Sequence, residues 1–378
     1  MGQLNNRKWA YRIWICFLGI PIIMGVYAAA VKFTTPEEIY GTTQLVPLGI
    51  LISTYIFFVV TGTGLCIIAS LGHVFRIRGF ELIGRRAIFL AIITLLCGFV
   101  AIGLELERPF RLIAYNFTSP QFSAPIWWMG AFYTLCLPLL LFEFGFLLKE
   151  NSKAARVFGI GAFLAEIIAT LTLGAIFGVI IGRPYWYGTY MPIYLILSGI
   201  SSGAAFIICF TAITYRIERN GMSSSLRKLL GETGKILAIF VGVTLIVMGW
   251  KIIMSLHSRP SQEYKAVLAL LRGPLSLNFW LFEVLIGSLI PLLILTIPWT
   301  RTGNGIVVAA ICVIFGMFAS RYNMVIVGQI YPVWGGEYAL YSPNHIEWFI
   351  VIACIGACLL LYTVGSRFLP LNEEGREN

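Results

Sequence analysis

The sequence is poor in the charged residues that cover soluble proteins. It contains no aspartate, so all 17 acidic residues are glutamate, and charged residues make up only 12% of its 378 positions. A soluble domain of this length needs polar residues between its core segments, and a chain that is 58% hydrophobic does not supply them. The composition therefore excludes a soluble globular protein.

Histidine is also scarce, with only His73, His257 and His345 present. A bis-histidine b haem needs two imidazoles that face each other inside the helices, whereas these three fall near predicted helix ends, on opposite sides of the membrane. The eight cysteines lie inside predicted helices and form no CxxC pair, which is typical of small packing residues. We therefore expect no haem, no iron–sulfur cluster and no metal site in this chain.

Long apolar runs dominate what the sequence does contain. They reach roughly 20 residues, the length that spans a hydrocarbon core, whereas a membrane barrel shows alternating strands of about 10 residues. The sequence predicts an all-α polytopic membrane protein with ten transmembrane helices. The predicted helices are 13–31, 45–72, 87–106, 126–148, 158–181, 193–214, 235–256, 280–300, 305–320 and 347–365. The ninth is short, and an alternative is that it continues through Val325–Val327.

The net charge of +10 comes from basic residues in short loops between the apolar runs. This distribution is typical of topology signals and does not indicate nucleic-acid binding. Most of these residues fall on the side that holds both termini. We therefore expect a multi-pass protein of the cytoplasmic membrane with both termini in the cytoplasm.

Short matches recur in the same order at a spacing of roughly four helices. Phe122–Trp127 corresponds to Leu275–Trp280, and Glu107-Arg108-Pro109 corresponds to Ser258-Arg259-Pro260. Both copies start on the same side of the membrane, so the repeat is parallel. We predict a first four-helix bundle at 1–150, a second at 151–303, and a C-terminal helix pair with a structured outer loop at 304–378.

Ionisable residues within apolar helices are costly, so each is a candidate functional residue. Glu105 lies at the outer end of the third predicted helix, followed by Glu107, Arg108 and Arg111. One interpretation is that a partly desolvated Glu105 takes a proton from a substrate hydroxyl. The other is that the two carboxylates and two guanidiniums form an ion-pair cluster that closes the helix end.

Other charged residues lie deeper or in the second bundle. Glu143 and Glu166 are either part of a proton path or two satisfied carboxylates that face the bundle interior. Lys251 and Glu283 are expected to form an ion pair across the second bundle, and His257 lies at the same level. We treat these last three as one polar cluster.

The segments 61–64, 83–85, 105–111 and 127–143 together resemble the NrfD family of polysulfide-reductase-like membrane subunits. The segment 105–111 is similar to the family's Asp-Leu-Gly-Arg-Pro-x-Arg, with Glu105 in place of aspartate and Glu107 in place of glycine. The remaining matches are the segments Ile83-Gly84-Arg85, Thr61-Gly62-Thr63-Gly64, and Trp127-Trp128 through Tyr133 to Glu143. The ten helices resemble the family's longer branch, which includes membrane subunits of hydrogenase-2-type and sulfite-reduction-associated complexes.

The resemblance implies a subunit without a cofactor of its own that binds a quinol near the outer surface and oxidises it, or reduces the quinone, with menaquinone favoured over ubiquinone. Electrons would pass to a docked ferredoxin-like iron–sulfur subunit, with further catalytic or cytochrome subunits in the same complex. Glu105 would accept the proton, Arg108 would set its electrostatics, Tyr133 would bond a quinone oxygen, and Trp128 would pack on the ring. Glu107 and Arg111 would lie beside them. The alternatives are a secondary transporter and a membrane anchor without a quinone site.

Overall fold

The computed structural model describes residues 2–35, 39–218, 222–258 and 261–371, which contain helices and no strand. Ten helical segments are long and apolar enough to cross a membrane, as the sequence predicts. The helices are α1 (Gly2–Thr34), α2 (Ile50–His73), α3 (Glu81–Glu105), α4 (Pro109–Thr118), α5 (Pro125–Leu148), α6 (Ser152–Gly178), α7 (Tyr190–Glu218), α8 (Ser224–His257), α9 (Gln262–Leu271), a π-helical segment (Asn278–Leu289) that continues into α10 (Ile290–Thr296), α11 (Gly303–Ile330) and α12 (His345–Phe368).

Polar residues in the short linkers cap the N-termini of several of these helices. The side chains of Asn151, Ser223 and Thr302 accept hydrogen bonds from backbone amides in the first turns of α6, α8 and α11. Asn344 and Glu347 form a reciprocal capping box at the start of α12. Such side chains satisfy amides that the helix itself leaves without partners.

The helix bounds differ from the predicted ones in instructive places. The helix α3 begins at Glu81, not at 87, and α11 continues to Ile330. The predicted end of α11 at 320 is too early because Arg321 reads as a loop residue, whereas it is 1% exposed in the helix. The short helix α4 follows the outer end of α3, and the short helix α9 follows the outer end of α8. The sequence does not predict them because they are too short to contain an apolar run of membrane-spanning length.

The helix α2 forms the centre of the bundle and packs against α3, α6, α7 and α11. It crosses α7 at a glycine contact, where a Cβ atom added to Gly64 would lie 1.9 Å from the carbonyl oxygen of Gly199. Small residues at such crossings let two helices approach closely in a membrane. The helix α1 is peripheral and packs mainly against α12.

The contacts cross the predicted domain boundaries. The pairing of α2 with α7 joins the predicted first and second bundles, and α1 rests on α12 of the predicted C-terminal pair. The division at residues 150 and 303 remains a prediction. One pair of residues from the repeat, Arg259 and Pro260, lies outside the described residues.

Candidate functional site

Glu105 lies on the last turn of α3, at the end of the bundle predicted to face outward. The chain leaves the helix at Leu106, whose backbone is extended. The Oε2 atom of Glu105 is buried and has no hydrogen-bond partner. A carboxylate oxygen in this setting is unusual because buried polar atoms are nearly always paired.

Two side chains hold the carbonyl groups that end α3. The Tyr40 hydroxyl donates a 2.6 Å hydrogen bond to Leu104 O, and Lys32 Nζ donates to Leu104 O and, at 3.0 Å, to Leu106 O. Lys32 is also within electrostatic range of Glu105. These donors secure the helix end and leave the Glu105 carboxylate available.

Glu347, in the first turn of α12, is fully buried. Its carboxylate accepts hydrogen bonds from the amides of Gly41 and Asn344, both at 2.9 Å, and from the Tyr341 hydroxyl at 2.5 Å. Burial raises the pKa of both tyrosines well above the usual range, with help from the hydrogen bond to Glu347 at Tyr341 and from the carboxylates of Glu105 and Glu347 at Tyr40. Both hydroxyls therefore remain donors at physiological pH. We call Lys32, Tyr40, Glu105, Tyr341 and Glu347 the outer cluster.

The predicted ion-pair cluster of Glu105, Glu107, Arg108 and Arg111 is wrong. The last three side chains are exposed, and no hydrogen bond or ion pair joins any two of the four, all of which the structure describes. The reason is the chain path, because Pro109 starts α4 immediately after the turn. Glu107 and Arg108 thus lie in the linker between two helices, while Glu105 stays on α3.

The structure separates the two aromatic candidates on α5. Trp128 is partly exposed, donates a 2.8 Å hydrogen bond to Phe122 O, and stacks against Phe132. Tyr133 is buried, and its ring lies 6.4 Å from that of Phe99. Since Phe99 is six residues before Glu105, Tyr133 lies about 9 Å inward of the outer cluster along α3.

Tyr133 is the outer member of a buried row of hydroxyl groups that ends on Glu166. The Tyr133 and Thr170 hydroxyls are 3.3 Å apart, Thr170 and Thr63 are 2.7 Å apart, and Thr63 Oγ1 lies 2.8 Å from Glu166 Oε2. A carboxylate only accepts, so Thr63 donates to Glu166, Thr170 to Thr63, and Tyr133 to Thr170. We call these four residues the central polar row.

Glu143 continues the same region toward the inner end. It is 1% exposed, and its Oε1 atom has no hydrogen-bond partner. A Cβ atom added to Gly159 on α6 would lie 2.6 Å from that oxygen, so the carboxylate rests on a glycine. Cys66 lies within electrostatic range of both Glu143 and Glu166, so the two carboxylates lie near the same short stretch of α2.

The predicted ion pair between Lys251 and Glu283 is wrong. Lys251 Nζ lies 2.7 Å from Glu263 Oε1, on α9, a helix that the sequence did not predict. His257 is exposed, and its Nδ1 lies 2.8 Å from Ile253 O of its own helix. The three residues do not form one cluster.

Glu283 belongs to a different buried group, in the π-helical segment. Its carboxylate accepts a 2.6 Å hydrogen bond from Asn323 and a 3.3 Å bond from the Tyr194 hydroxyl. Arg321, fully buried on α11, donates a 2.7 Å bond to Ser198 and lies within electrostatic range of Glu283. A cavity beside Glu283 has room for about one water molecule.

Sequence reasoning missed Lys32, Glu347 and Arg321. Each could have been identified as a candidate, because a charged residue inside or at the end of an apolar helix is rare and usually functional. The capping box Asn344-x-x-Glu347 was readable as well. Among the described residues, no group of three or more histidine, cysteine or acidic side chains could hold a metal ion.

Comparison with known families settles which proteins this bundle resembles. The family described as Polysulphide reductase, NrfD matches residues 38–333, which include all of α2 to α11. The chain belongs to the NrfD family. This confirms the resemblance found in the sequence motifs.

Relatives of this NrfD protein match over almost their whole length. A selenate reductase subunit of Mesobacillus selenatarsenatis is 23% identical, covering 97% of this chain and 96% of the relative. The Hdr-like menaquinol oxidoreductase integral membrane subunit of Archaeoglobus fulgidus is 26% identical, covering 98% and 96%. The menaquinone reductase integral membrane subunit of Nitratidesulfovibrio vulgaris is 22% identical, covering 96% and 92%.

Proposed function

We propose that this protein is the quinol-interacting membrane subunit of an oxidoreductase complex. The observation that carries the proposal is the buried, unpartnered carboxylate oxygen of Glu105 at the outer end of the bundle. The names of two relatives, a menaquinol oxidoreductase subunit and a menaquinone reductase subunit, favour menaquinone as the substrate. The quinone is a substrate here, and the chain needs no resident redox group for the steps below.

Glu105 is the proposed proton acceptor. Oxidation of a quinol to a quinone releases two protons and two electrons, so the site needs a base within hydrogen-bond reach of a quinol hydroxyl. The outer cluster provides one, since Tyr40 and Lys32 are engaged with the carbonyls of α3 and Glu105 is not. The Lys32 ammonium group attracts the Glu105 carboxylate and stabilises its ionised form before the proton arrives.

The exposed residues beside Glu105 form the approach to the site. Arg108 and Arg111 line the linker and the first turn of α4, and Trp128 lies at the outer end of α5. Glu107 is exposed in the same linker and has no assigned role in binding. We propose that Trp128 packs on the quinone ring. The Tyr133 hydroxyl is already hydrogen-bonded to Thr170. This supports assigning Tyr133 to the central polar row and not to a hydrogen bond with a quinone oxygen.

Proton movement through the bundle would use the central polar row and Glu143. Hydroxyl groups that donate in one direction toward a carboxylate can pass a proton by exchanging donor and acceptor roles. Each member from Tyr133 to Glu166 lies within hydrogen-bond distance of the next. Glu143 extends the series toward the inner end.

Electrons would leave through a partner at the outer surface. The loop between α11 and α12 exposes Trp334 and Leu340, with 79% and 71% of their surface open. The same loop supplies Tyr341 to the outer cluster and the Asn344 amide that donates to Glu347, so a partner docked there lies next to the proposed quinol site. We propose an iron–sulfur subunit at this surface, with a catalytic subunit beyond it.

The test is Glu105→Gln in the assembled complex, with Glu107→Gln as the matched control. Both changes remove one carboxylate from the same segment, but only Glu105 carries a buried oxygen. We expect menaquinol oxidation to fall by about 100-fold or more in the first variant, the usual effect of losing a general base, and to stay near wild type in the second. A wild-type rate with Glu105→Gln removes the proposed base. Failure to bind a quinone analogue in the intact complex identifies a pure anchor instead.

A further inference from the structure

The inner end of the bundle contains a polar cavity that the proposed function does not use. It has a volume of about 300 Å³, at the lower end of the size of small-molecule sites. The linker after α2, the first turns of α3, and the linker between α5 and α6 enclose it. Its charged and polar lining residues are His73, Arg76, Glu81, Arg85, Glu150, Ser152 and Arg156.

Three arginines converge on this cavity from three different elements. Arg76 follows α2, Arg85 lies on α3, and Arg156 lies on the second turn of α6. Arg85 is 8% exposed and reaches the backbone oxygen of Pro370, while the Nε atom of Arg156 is buried without a hydrogen-bond partner. Arg85 is buried, Arg156 is half-buried and Arg76 is exposed. An arginine that only sets membrane topology has no need to be buried as Arg85 is.

Two of the lining residues adopt a backbone conformation that side chains disfavour. Arg76 has φ of 57° and Glu150 has φ of 60°, and they are the only non-glycine residues with positive φ in the described parts of the chain. Both stand just after a helix C-terminus, where glycine is the usual residue. Retaining two charged side chains at such positions, both facing one cavity, indicates that the side chains have a use there.

Charge and location identify the ligand class. Three arginines against two glutamates leave one excess positive charge, with His73 counted as neutral, and this matches the single negative charge of a phosphodiester. The cavity lies where α2 and α5 end and α3 and α6 begin, and all four helices are long and apolar enough to cross a membrane. Their ends are therefore expected to meet the headgroup region. Basic pockets between membrane helices on the cytoplasmic side are known to hold anionic headgroups.

We propose that this cavity binds the phosphodiester group of a membrane lipid headgroup, with Arg156, Arg76 and Arg85 as its ligands. Guanidinium groups suit this role because their planar fork of donors matches phosphate oxygens. The start of α6 adds the favourable electrostatic effect of a helix N-terminus, next to Ser152. The remaining source of the same chemistry is free phosphate from the cytoplasm.

A second inner cavity, lined by residues of α7, α8 and α11, shows which arginine is specific to the first cavity. Arg216, in the last turn of α7, and Arg227, in the first turn of α8, line this second cavity of about 390 Å³. That cavity has no third arginine, and at the start of α11 it is lined by Asn304 and Val307. Arg156 is therefore specific to the first cavity.

The experiment measures how short-chain lipids shift the thermal unfolding of the full-length protein in detergent. The probes are dioctanoyl-phosphatidylglycerol, inorganic phosphate, and dioctanoylglycerol as a lipid without phosphate. The variants are Arg156→Gln, Arg156→Lys, and Lys153→Gln as the control, since Lys153 is exposed on the same helix and does not line the cavity. Titration of each probe gives an apparent Kd from the shift in the midpoint.

We expect phosphatidylglycerol to bind at least tenfold more weakly to Arg156→Gln than to the wild type, Lys153→Gln to match the wild type, and Arg156→Lys to fall between. Inorganic phosphate binding as tightly as the lipid, with the same pattern among variants, assigns the site to free phosphate. Equal binding to all variants, stabilisation by dioctanoylglycerol alone, or no binding of either phosphate probe overturns the proposal.

Arg76→Gly provides a second variant that is safe for folding. Glycine suits a backbone with φ of 57°, so this change removes a guanidinium while relieving the strain. We expect an unchanged or higher unfolding temperature without ligand, together with weaker lipid binding. Binding of phosphatidylglycerol at wild-type strength in both Arg76→Gly and Arg156→Gln removes the cavity from consideration.

Discussion

The hydroxyl of Thr63 on α2 donates a 2.8 Å hydrogen bond to the carboxylate of Glu166 on α6, within the hydrophobic bundle. Glu166 is fully buried, and its other oxygen has no hydrogen-bond partner. Thr63 also connects Glu166 to Thr170. One hydroxyl therefore links two helices and joins the carboxylate to the rest of the central polar row.

Thr63→Val should destabilise the protein, with Thr61→Val as the matched control. Both threonines are buried on α2, but the Thr61 hydroxyl donates only to Phe57 O of its own helix. The first change leaves a buried carboxylate with no partner, which costs about 1–3 kcal/mol, while the second replaces a hydroxyl whose acceptor already serves the helix. Thermal or denaturant unfolding in detergent checks the difference, and equal losses in the two variants contradict the assigned bond.

Glu166→Gln should separate electron transfer from proton movement. The amide keeps the volume and can accept from Thr63, but it does not take up a proton, so the central polar row loses its carboxylate. In proteoliposomes with the assembled complex, we expect quinol oxidation to persist while proton movement driven by it falls at least tenfold. Glu232→Gln, at an exposed position on α8, is the control. Unchanged proton movement in Glu166→Gln removes the row from the path.

The architecture follows from the sequence because membrane spans are specified by one strong physical constraint. Every backbone group in lipid must be paired within the segment, so an apolar run of about 20 residues has few options besides a helix. The short helices α4 and α9 carry no such signal. Their positions depend on Pro109 at the start of one and the Ser261 cap at the start of the other.

The sites were less predictable because their partners are distant in the sequence. Glu105 was identified from its position at a helix end, but Lys32 and Glu347 meet it only through the packing of α1, α3 and α12. Spacing along the chain suggested Arg108 and Arg111 as partners, and the turn at Pro109 excludes them. Lys251 was matched with Glu283 for the same reason, since the competing Glu263 lies on the unpredicted α9.

A double-mutant cycle should show energetic coupling between Lys251 and Glu263. Their 2.7 Å contact is mostly sheltered from solvent, with 11% and 22% of the side chains exposed, and Ser255 donates to the same oxygen. We expect Lys251→Gln and Glu263→Gln to be non-additive by about 0.5–3 kcal/mol in unfolding free energy. Lys251→Gln and Glu283→Gln should couple more weakly than the first pair, since no direct contact joins them and they share only the neighbouring Tyr185 and Tyr190. Stronger coupling between Lys251 and Glu283 than between Lys251 and Glu263 would instead support the predicted ion pair of Lys251 with Glu283.

Gly64→Ala should disrupt the crossing of α2 and α7, whereas Gly103→Ala should not affect packing. A Cβ atom at Gly64 would lie 1.9 Å from Gly199 O, and one at Gly203 would lie 2.4 Å from Gly64 C, so both sides of the contact are backbone. Backbone cannot move aside as a side chain can, and we expect a loss of about 1–3 kcal/mol or more. A Cβ atom at Gly103 meets no atom within 4 Å, so alanine there should be neutral or stabilise α3 by up to about 1 kcal/mol. Unfolding of the two variants in detergent compares them directly, and equal stability would mean that the two helices do not cross at this glycine.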